Sequence, residues 1–415
     1  MRASYPAYKS TSIPWLPEMP KHWELRKAKF IFKKEKREVR QDDDVVTAFR
    51  DGQVTLRKNR REDGFTIAVH EIGYQGIRKG DLVIHGMDAF AGAIGVSDSD
   101  GKASPVYNAC TLRVPGNMNY FCHAIRQMSK SGFIQSLAKG IRERSTDFRY
   151  DTFGQQYLPF PPLEEQTAIA NYLDAKTEQI NRFIEKKEKL IALLKEQKQA
   201  VINELLEDKE GKWERRKLKY FCSLITKGTT PSTEGKEFTN SGVRFLKAEN
   251  ITENGLSESP LFFIDEATNQ ILKRSQLKAN DILIVIAGAT IGRTAIINET
   301  YLPANTNQAV CLLRLKKNVD PKFIRLLLSS PKIQERVRFD AVQSAQPNLS
   351  MGVLGDFLLP YPKSELERQQ LVNTIEEESM RIDAVIQRIT VEIEKVKELK
   401  QSLIAEVVTG RIKVA

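Results

Sequence analysis

One pattern occurs twice in this chain and limits what it can fold into more than any other feature. Positions 180, 184, 187, 191, 194, 198, 201 and 205 step alternately by four and three. They carry Ile180, Ile184, Lys187, Ile191, Leu194, Lys198, Val201 and Leu205, six of eight apolar. The same steps 202 positions later carry Ile382, Ile386, Ile389, Ile393, Val396, Lys400, Leu403 and Val407, seven of eight apolar. Alternating four and three is the seam of a coiled coil. The helices predicted over 164–207 and 365–408 would each be roughly 65 Å long at about 1.5 Å per residue. A helix of that length with one apolar stripe needs a partner in water, and each copy is the natural partner of the other. Glu164 and Glu165 suit the positive end of the first helix, and Ser364 with Glu367 forms a capping-box pattern for the second.

The repeat extends beyond the helices. His22-Trp-Glu-Leu-Arg-Lys-Ala-Lys-Phe is answered by Lys212-Trp-Glu-Arg-Arg-Lys-Leu-Lys-Tyr, Gly80-Asp-Leu-Val-Ile by Asn280-Asp-Ile-Leu-Ile, and Leu158-Pro-Phe-Pro by Leu359-Pro-Tyr-Pro. Offsets drifting between 190 and 203 indicate a duplicated unit with loop insertions. Short runs rich in Val, Ile and Phe (Ile67-Ala-Val-His, Asp81-Leu-Val-Ile, Ala109-Cys-Thr-Leu-Arg-Val, Asp281-Ile-Leu-Ile-Val-Ile, Ala309-Val-Cys-Leu-Leu-Arg-Leu) predict strands, with shorter helices over 120–137 and 321–339. The fold class expected is α+β. Two tandem mixed domains, 1–163 and 211–363, are separated by long helices at 164–210 and 364–415 that form an antiparallel coiled coil with pseudo-two-fold symmetry. Only about five residues part the first helix from Trp213, so the second helix must run back along it.

Charge bears on function once it is divided. The chain has 64 basic and 53 acidic residues, but the two helices are acidic, with 13 basic against 19 acidic. The rest carries a basic excess of 17, which suits a polyanion-binding surface. Four scattered cysteines and four histidines give no metal-ligand spacing, and the cysteines are expected as buried small hydrophobes. The first residues lack a signal-peptide core and no apolar run approaches about 20 residues, so a cytoplasmic protein without membrane contact is expected.

Catalytic patterns fail on inspection. Gly288-Ala-Thr-Ile-Gly-Arg-Thr is one residue short of a P-loop and has Arg where Lys is needed. Glu234-Gly-Lys236 has nuclease-like spacing but no Pro-Asp pair to complete a metal site. No dinucleotide or methyl-donor motif follows a strand, so neither cofactor, metal nor catalysis is expected. Polar, basic clusters are better represented: Arg57, Lys58, Arg60 and Arg61; Arg142, Arg144 and Arg149; and in the second half Lys227, Thr229, Thr230, Ser232, Lys247, Arg293, Asn305, Asn307, Gln308, Gln346 and Asn348. Arg, Asn and Gln can bond base edges bidentately, whereas Lys, Ser and Thr suit phosphates.

These stretches, with Ile13-Pro-Trp-Leu16, Ser104-Pro-Val-Tyr107, Gly228-Thr-Thr-Pro-Ser, Gln346-Pro-Asn-Leu and the Leu-Pro-aromatic-Pro before each helix, resemble the specificity subunits of Type I restriction-modification systems over nearly the full length. The resemblance implies two target recognition domains, each reading half of a split double-stranded DNA sequence. It also implies helices that act as a ruler and dock two methyltransferase (modification) subunits, and an assembly that restriction/translocase subunits can join. The competing expectation is a coiled-coil interaction scaffold whose basic surface is incidental.

Overall fold

The computed structural model describes residues 4–60, 71–137, 148–253, 255–342 and 348–414. Its contacts divide the chain into two compact units, residues 1–187 with 391–415, and residues 188–390. The long helices run Leu163–Leu205 and Glu365–Val408, within two residues of their expected ends. The division falls inside both, so each unit holds the start of one helix and the end of the other.

In the first unit, Ile169, Ala170 and Leu173 share a core with Val407, Val408 and Ile412, against Trp15, Leu16, Met19 and Trp23. Lys187 pairs with Glu392 at 2.8 Å and Lys400 donates to Asn181 at 2.7 Å, so numbers fall along one segment as they rise along the other. In the second unit Leu206 and partly buried Ile202 and Leu205 pack with Val372 and Ile375, and Lys198 pairs with Asp383 at 2.6 Å. Each pair of segments is therefore antiparallel. The three lysines that interrupt the seam lay their stems along it and send their ammonium groups across to the facing helix. At the apolar seam positions Ile382, Ile389, Ile393 and Val407 are buried. Ile180, Ile184, Ile191, Leu194, Val201, Leu205, Ile386, Val396 and Leu403 are half-buried.

Each unit has one four-stranded antiparallel sheet with the same strand order. In the first the order is Phe32–Glu35, Tyr107–Leu112, Leu82–His85, Ile94–Val96; in the second it is Cys222–Lys227, Val310–Leu315, Ile282–Val285, Thr294–Ile296. Ile282, Leu283, Ile284 and Val285 are all buried because both faces of the sheet are covered. Ile282 and Ile284 face the core that holds the helices, whereas Leu283 and Val285 face a second cluster with Ile251, Ala295 and Leu312. Cys110 and Cys311 occupy matching strands, but two residues apart in register: Cys110 pairs with Leu82, whereas Cys311 pairs with Ile284. All four cysteines are buried and free, and burial pushes the thiols of Cys110, Cys222 and Cys311 to about 12.

The shorter helices are broken where single ones were expected. Met118–Lys130 stops at Ser131 and left-handed Gly132 before Phe133–Ser136, and Pro321–Ser329 stops before a new helix at Pro331. The predicted strand at Ile67 lies outside the described residues.

The repeated motifs now have physical causes. Gly80 and Asn280 both take a positive φ (91° and 68°), which Gly and Asn tolerate best. The aspartate that follows is buried and clamps an arginine: Asp81 accepts from Arg37 at 2.5 and 3.1 Å, and Asp281 from Arg314 at 2.9 and 2.7 Å. The Trp of each Trp-Glu repeat donates its indole N–H to a glutamate in the first turn of a long helix, Trp23 to Glu165 and Trp213 to Glu367, both at 2.9 Å. Half of the expected capping box forms, with the Glu367 amide donating to Ser364 at 3.3 Å, but the Glu367 carboxylate turns to Trp213. Behind the proline motifs, Gln166 and Arg368 are buried and donate back to the carbonyls of Pro161 (2.8 Å) and Pro362 (2.7 Å). That bond fixes the turn from strand into helix.

Candidate nucleic-acid interface

In the second unit the loops converge at one end of the sheet. The amide of Ile286 donates to Ala309 and that of Leu349 to Ile286, both at 2.8 Å, and Asn348 bridges to Ala287. The Gly228 amide donates to Val310 at 3.3 Å. A Cβ on Gly228 would come within 1.9 Å of the Thr306 carbonyl oxygen, so only glycine lets the two loops lie this close. Thr230 then donates its hydroxyl to the Gln308 side-chain oxygen. Lys227, Thr229, Thr230, Ser232, Asn307, Gln308 and Asn348 are thereby brought to one end of one sheet. The Asn307 side-chain oxygen is buried there without a hydrogen-bond partner. Arg293 stands at the same end, 3.7 Å from Glu253. Gly288-Ala-Thr-Ile-Gly292 is the turn between two antiparallel strands, as its departures from a P-loop require.

One expected reader is buried in the core, and a second is held over aromatic rings. Asn305 is fully buried on a strand that pairs in parallel with Val243–Leu246, and its amide bonds Ser275, Asn269 and the Leu272 carbonyl. It holds the core together and cannot touch a ligand. Lys247 places its ammonium 3.3 Å from the centre of the Phe262 ring and 4.4 Å from that of Phe238, so its charge is engaged by two aromatic faces. Gln346 lies outside the described residues.

The first unit repeats the backbone scheme with other side chains. Gly86 donates to Val106 at 2.9 Å and Phe148 to Gly86 at 3.0 Å, which sets Arg149 at the tip, where Ser350 stands in the other unit. His85 ends its strand there, edge-on to Tyr107 at 4.6 Å, and its Nδ1 accepts from the Asp88 amide at 2.9 Å. Burial, partly offset by Asp88, holds this imidazole below the usual histidine value. Arg50 joins the group through Asp88 at 3.0 Å. His85, Tyr107, Asp88 and Arg50 were missed in sequence; the one signal was a polar His85 where the repeat has Val285.

The basic turn Arg57–Asn59 stands on a separate hairpin and is less free than its sequence suggests. Arg57 donates to Thr47 at 3.3 Å, Lys58 pairs with Asp44, and Arg60 pairs with Asp51 at 2.6 Å while lying over the Phe49 ring. Arg61, Arg142 and Arg144 lie outside the described residues. Among the described residues no cluster of histidine, cysteine and carboxylates could hold a metal ion, and no helix is long and apolar enough to cross a membrane.

Residues 210–395 match the Type I restriction modification DNA specificity domain. The chain is 24% identical to the Type I restriction enzyme EcoBI specificity subunit of Escherichia coli, over 71% of this chain and 66%, just under two thirds, of that protein. It is 21% identical to the EcoKI specificity subunit of Escherichia coli strain K12, over 76% of this chain and 74% of that one. The second half of this chain thus matches that domain, and most of its length is similar to Type I specificity subunits. Solved structures agree in fold. A chain from a type I R-M system studied for its complex assembly and conformational transition superposes with a TM-score of 0.72 at 15% identity, covering 94% of this chain and 98% of that one. The HsdS subunit from Thermoanaerobacter tengcongensis gives 0.52 at 16% identity, covering 95% and 98%. In a specificity subunit, a loop cluster at the end of a rigid, doubly covered sheet is where readers of base edges are best held.

Proposed function

We propose that each unit reads one half of a bipartite double-stranded DNA target with the loops at the end of its sheet. The domains at 1–163 and 211–363 act as target recognition domains, and the paired helices set the untouched gap between half-sites and dock two modification subunits. Methyl transfer then belongs to those subunits and cleavage to restriction/translocase subunits that join them; this chain only selects the site, in the cytoplasm. One observation carries the reading: the same backbone scheme in both units presents different polar side chains at the tip, His85 and Arg149 in one, Thr230, Gln308 and Asn348 in the other. Amides and arginines are the side chains that discriminate bases, while the basic excess supplies sequence-independent attraction to phosphate.

The test is selection from a random duplex pool by this chain co-purified with its modification subunit. Two short enriched blocks at fixed separation are expected. A single contiguous block would remove one unit from reading, and no enrichment would return the chain to the scaffold reading. Adding four residues to each helix, about 6 Å, should lengthen the gap and leave both blocks unchanged.

A further inference from the structure

One polar hollow in the second unit has no part in the loop cluster. Its volume is about 330 Å³, and it is lined by Leu256, Ile296, Asn298, Tyr301 and Arg325. Ile296 pairs with Ile282, at the end of the sheet remote from the loops that follow Val285. Arg325 reaches the hollow from the helix Pro321–Ser329. Its Nε is buried without a hydrogen-bond partner, and the side chain forms no ion pair among the described residues. Burial holds the guanidinium below the usual arginine value. Glu376 opposes this through space, but its carboxylate is paired with Lys322 at 3.0 Å.

A second guanidinium faces the same wall. Arg244 lies 4.8 Å from the centre of the Tyr301 ring, and its Nη1 is also buried without a partner. Asn298 uses its side-chain oxygen to accept from the Thr300 amide at 3.1 Å and the Thr300 hydroxyl at 2.5 Å, which leaves its Nδ2 as a donor. The nitrogens left over are thus all N–H donors, and what they lack is an acceptor-rich, negatively charged group.

The first unit does without this cation. Asn117 and Asp320 cap equivalent helices, each packed on the last strand of its sheet, and five residues further on stand Cys122 and Arg325. The strands correspond as well, since Val96 pairs with Leu82 as Ile296 pairs with Ile282. A buried, neutral thiol fills the place in one unit, and a guanidinium without a partner fills it in the other. The fold therefore needs no charge here. An unpaired buried guanidinium is unfavourable, and a well-packed apolar side chain of similar volume would be the more stable choice. Arginine binds carboxylates and phosphates through two parallel N–H bonds. The volume is about ten times the roughly 30 Å³ share of one water and lies at the lower end of small-molecule sites, roughly 300–1,000 Å³. Leu256, Ile296 and the Tyr301 ring supply an apolar wall for the body of such a molecule.

We propose that this hollow binds a small organic oxyanion, a phosphate monoester or a carboxylate, with Arg325 as its principal partner, Asn298 donating to it and Arg244 adding positive charge. The site belongs to the second unit alone, and it does not rest on the recognition reading above.

The experiment uses the full chain and follows thermal unfolding during titration with ribose 5-phosphate, citrate, inorganic phosphate or neutral ribose, all at one ionic strength. A saturable rise in unfolding temperature with ribose 5-phosphate assigns a phosphate monoester, and one with citrate a carboxylate. Inorganic phosphate should act more weakly and ribose not at all. Without ligand, Arg325→Met should unfold at a higher temperature than wild type, and it should lose the response. Arg325→Lys keeps the charge but not the paired N–H bonds, and should bind at least about tenfold more weakly. Equal responses from wild type and Arg325→Met would place the anion elsewhere, and silence from every probe would remove the site; either result overturns the proposal. Should Arg325→Met fail to fold, Arg325→Lys decides, and affinity equal to wild type counts against the site. Loss of duplex affinity in Arg325→Met, with wild type unresponsive to the probes, would give the arginine to nucleic acid instead.

Discussion

The two units share one construction and differ at one place. At the base of the sheet they match in kind: a left-handed residue, an indole bonded to the first turn of a helix, and a buried aspartate clamping an arginine, which follows the edge strand in one unit (Arg37) and lies on a central strand in the other (Arg314). At the tip they diverge, one presenting an imidazole and guanidinium group beside an aromatic ring, the other amides and hydroxyls. A rigid, repeated base with variable tips is how one scaffold can present two specificities.

That contrast can be broken most severely at the base. Asp81→Ala and Asp281→Ala each remove the main partner of a partly buried arginine, and breaking such a pair costs roughly 3 kcal/mol. Chemical denaturation should report similar losses for the two; a large inequality would mean the bases are not equivalent. At the tips the effects should separate. Gln308→Ala should relax discrimination at one half-site by roughly 1–3 kcal/mol, and Arg149→Ala at the other half-site only. Selection and sequencing of both variants checks this, and relaxation of the same half-site by both would refute the division of labour.

The smallest expected difference lies at the helix starts. Burial raises the Glu165 carboxyl, but hydrogen bonds from Trp23, His22 and Tyr5 outweigh it and hold this group below the usual glutamate value. A depressed carboxyl stabilises the folded state above its unfolded value of about 4.3 and loses that contribution as pH falls through the folded value. Denaturation of wild type and Glu165→Gln from pH 7 to about 3 should therefore converge at the acid end. Parallel curves would show that the three donors contribute nothing through the charge.

Much of the scaffold was legible because its signals are local and periodic. The four-three seam located both long helices to within two residues, and unbroken apolar runs located the sheet strands. The breaks at Gly132 and Ser330 were less legible, since apolar spacing continues across them and only the turn geometry interrupts the helix. The candidate site was legible in part. Thr230, Gln308 and Asn348 were singled out as polar turn residues and do meet at one sheet end, but the pattern could not say that they would meet.

By itself, then, the sequence determined a duplicated unit, two long helices with a coiled-coil seam and a basic excess confined to the rest, all properties of neighbouring residues or of composition. Only the tertiary structure decided which polar residues remain for a ligand. Asn305 is removed from the surface by Asn269 and Ser275, Lys247 is engaged by Phe238 and Phe262, and Arg60 is paired with Asp51. Burial and charge pairing depend on groups that the fold brings together from distant positions, so no periodicity along the chain can report them.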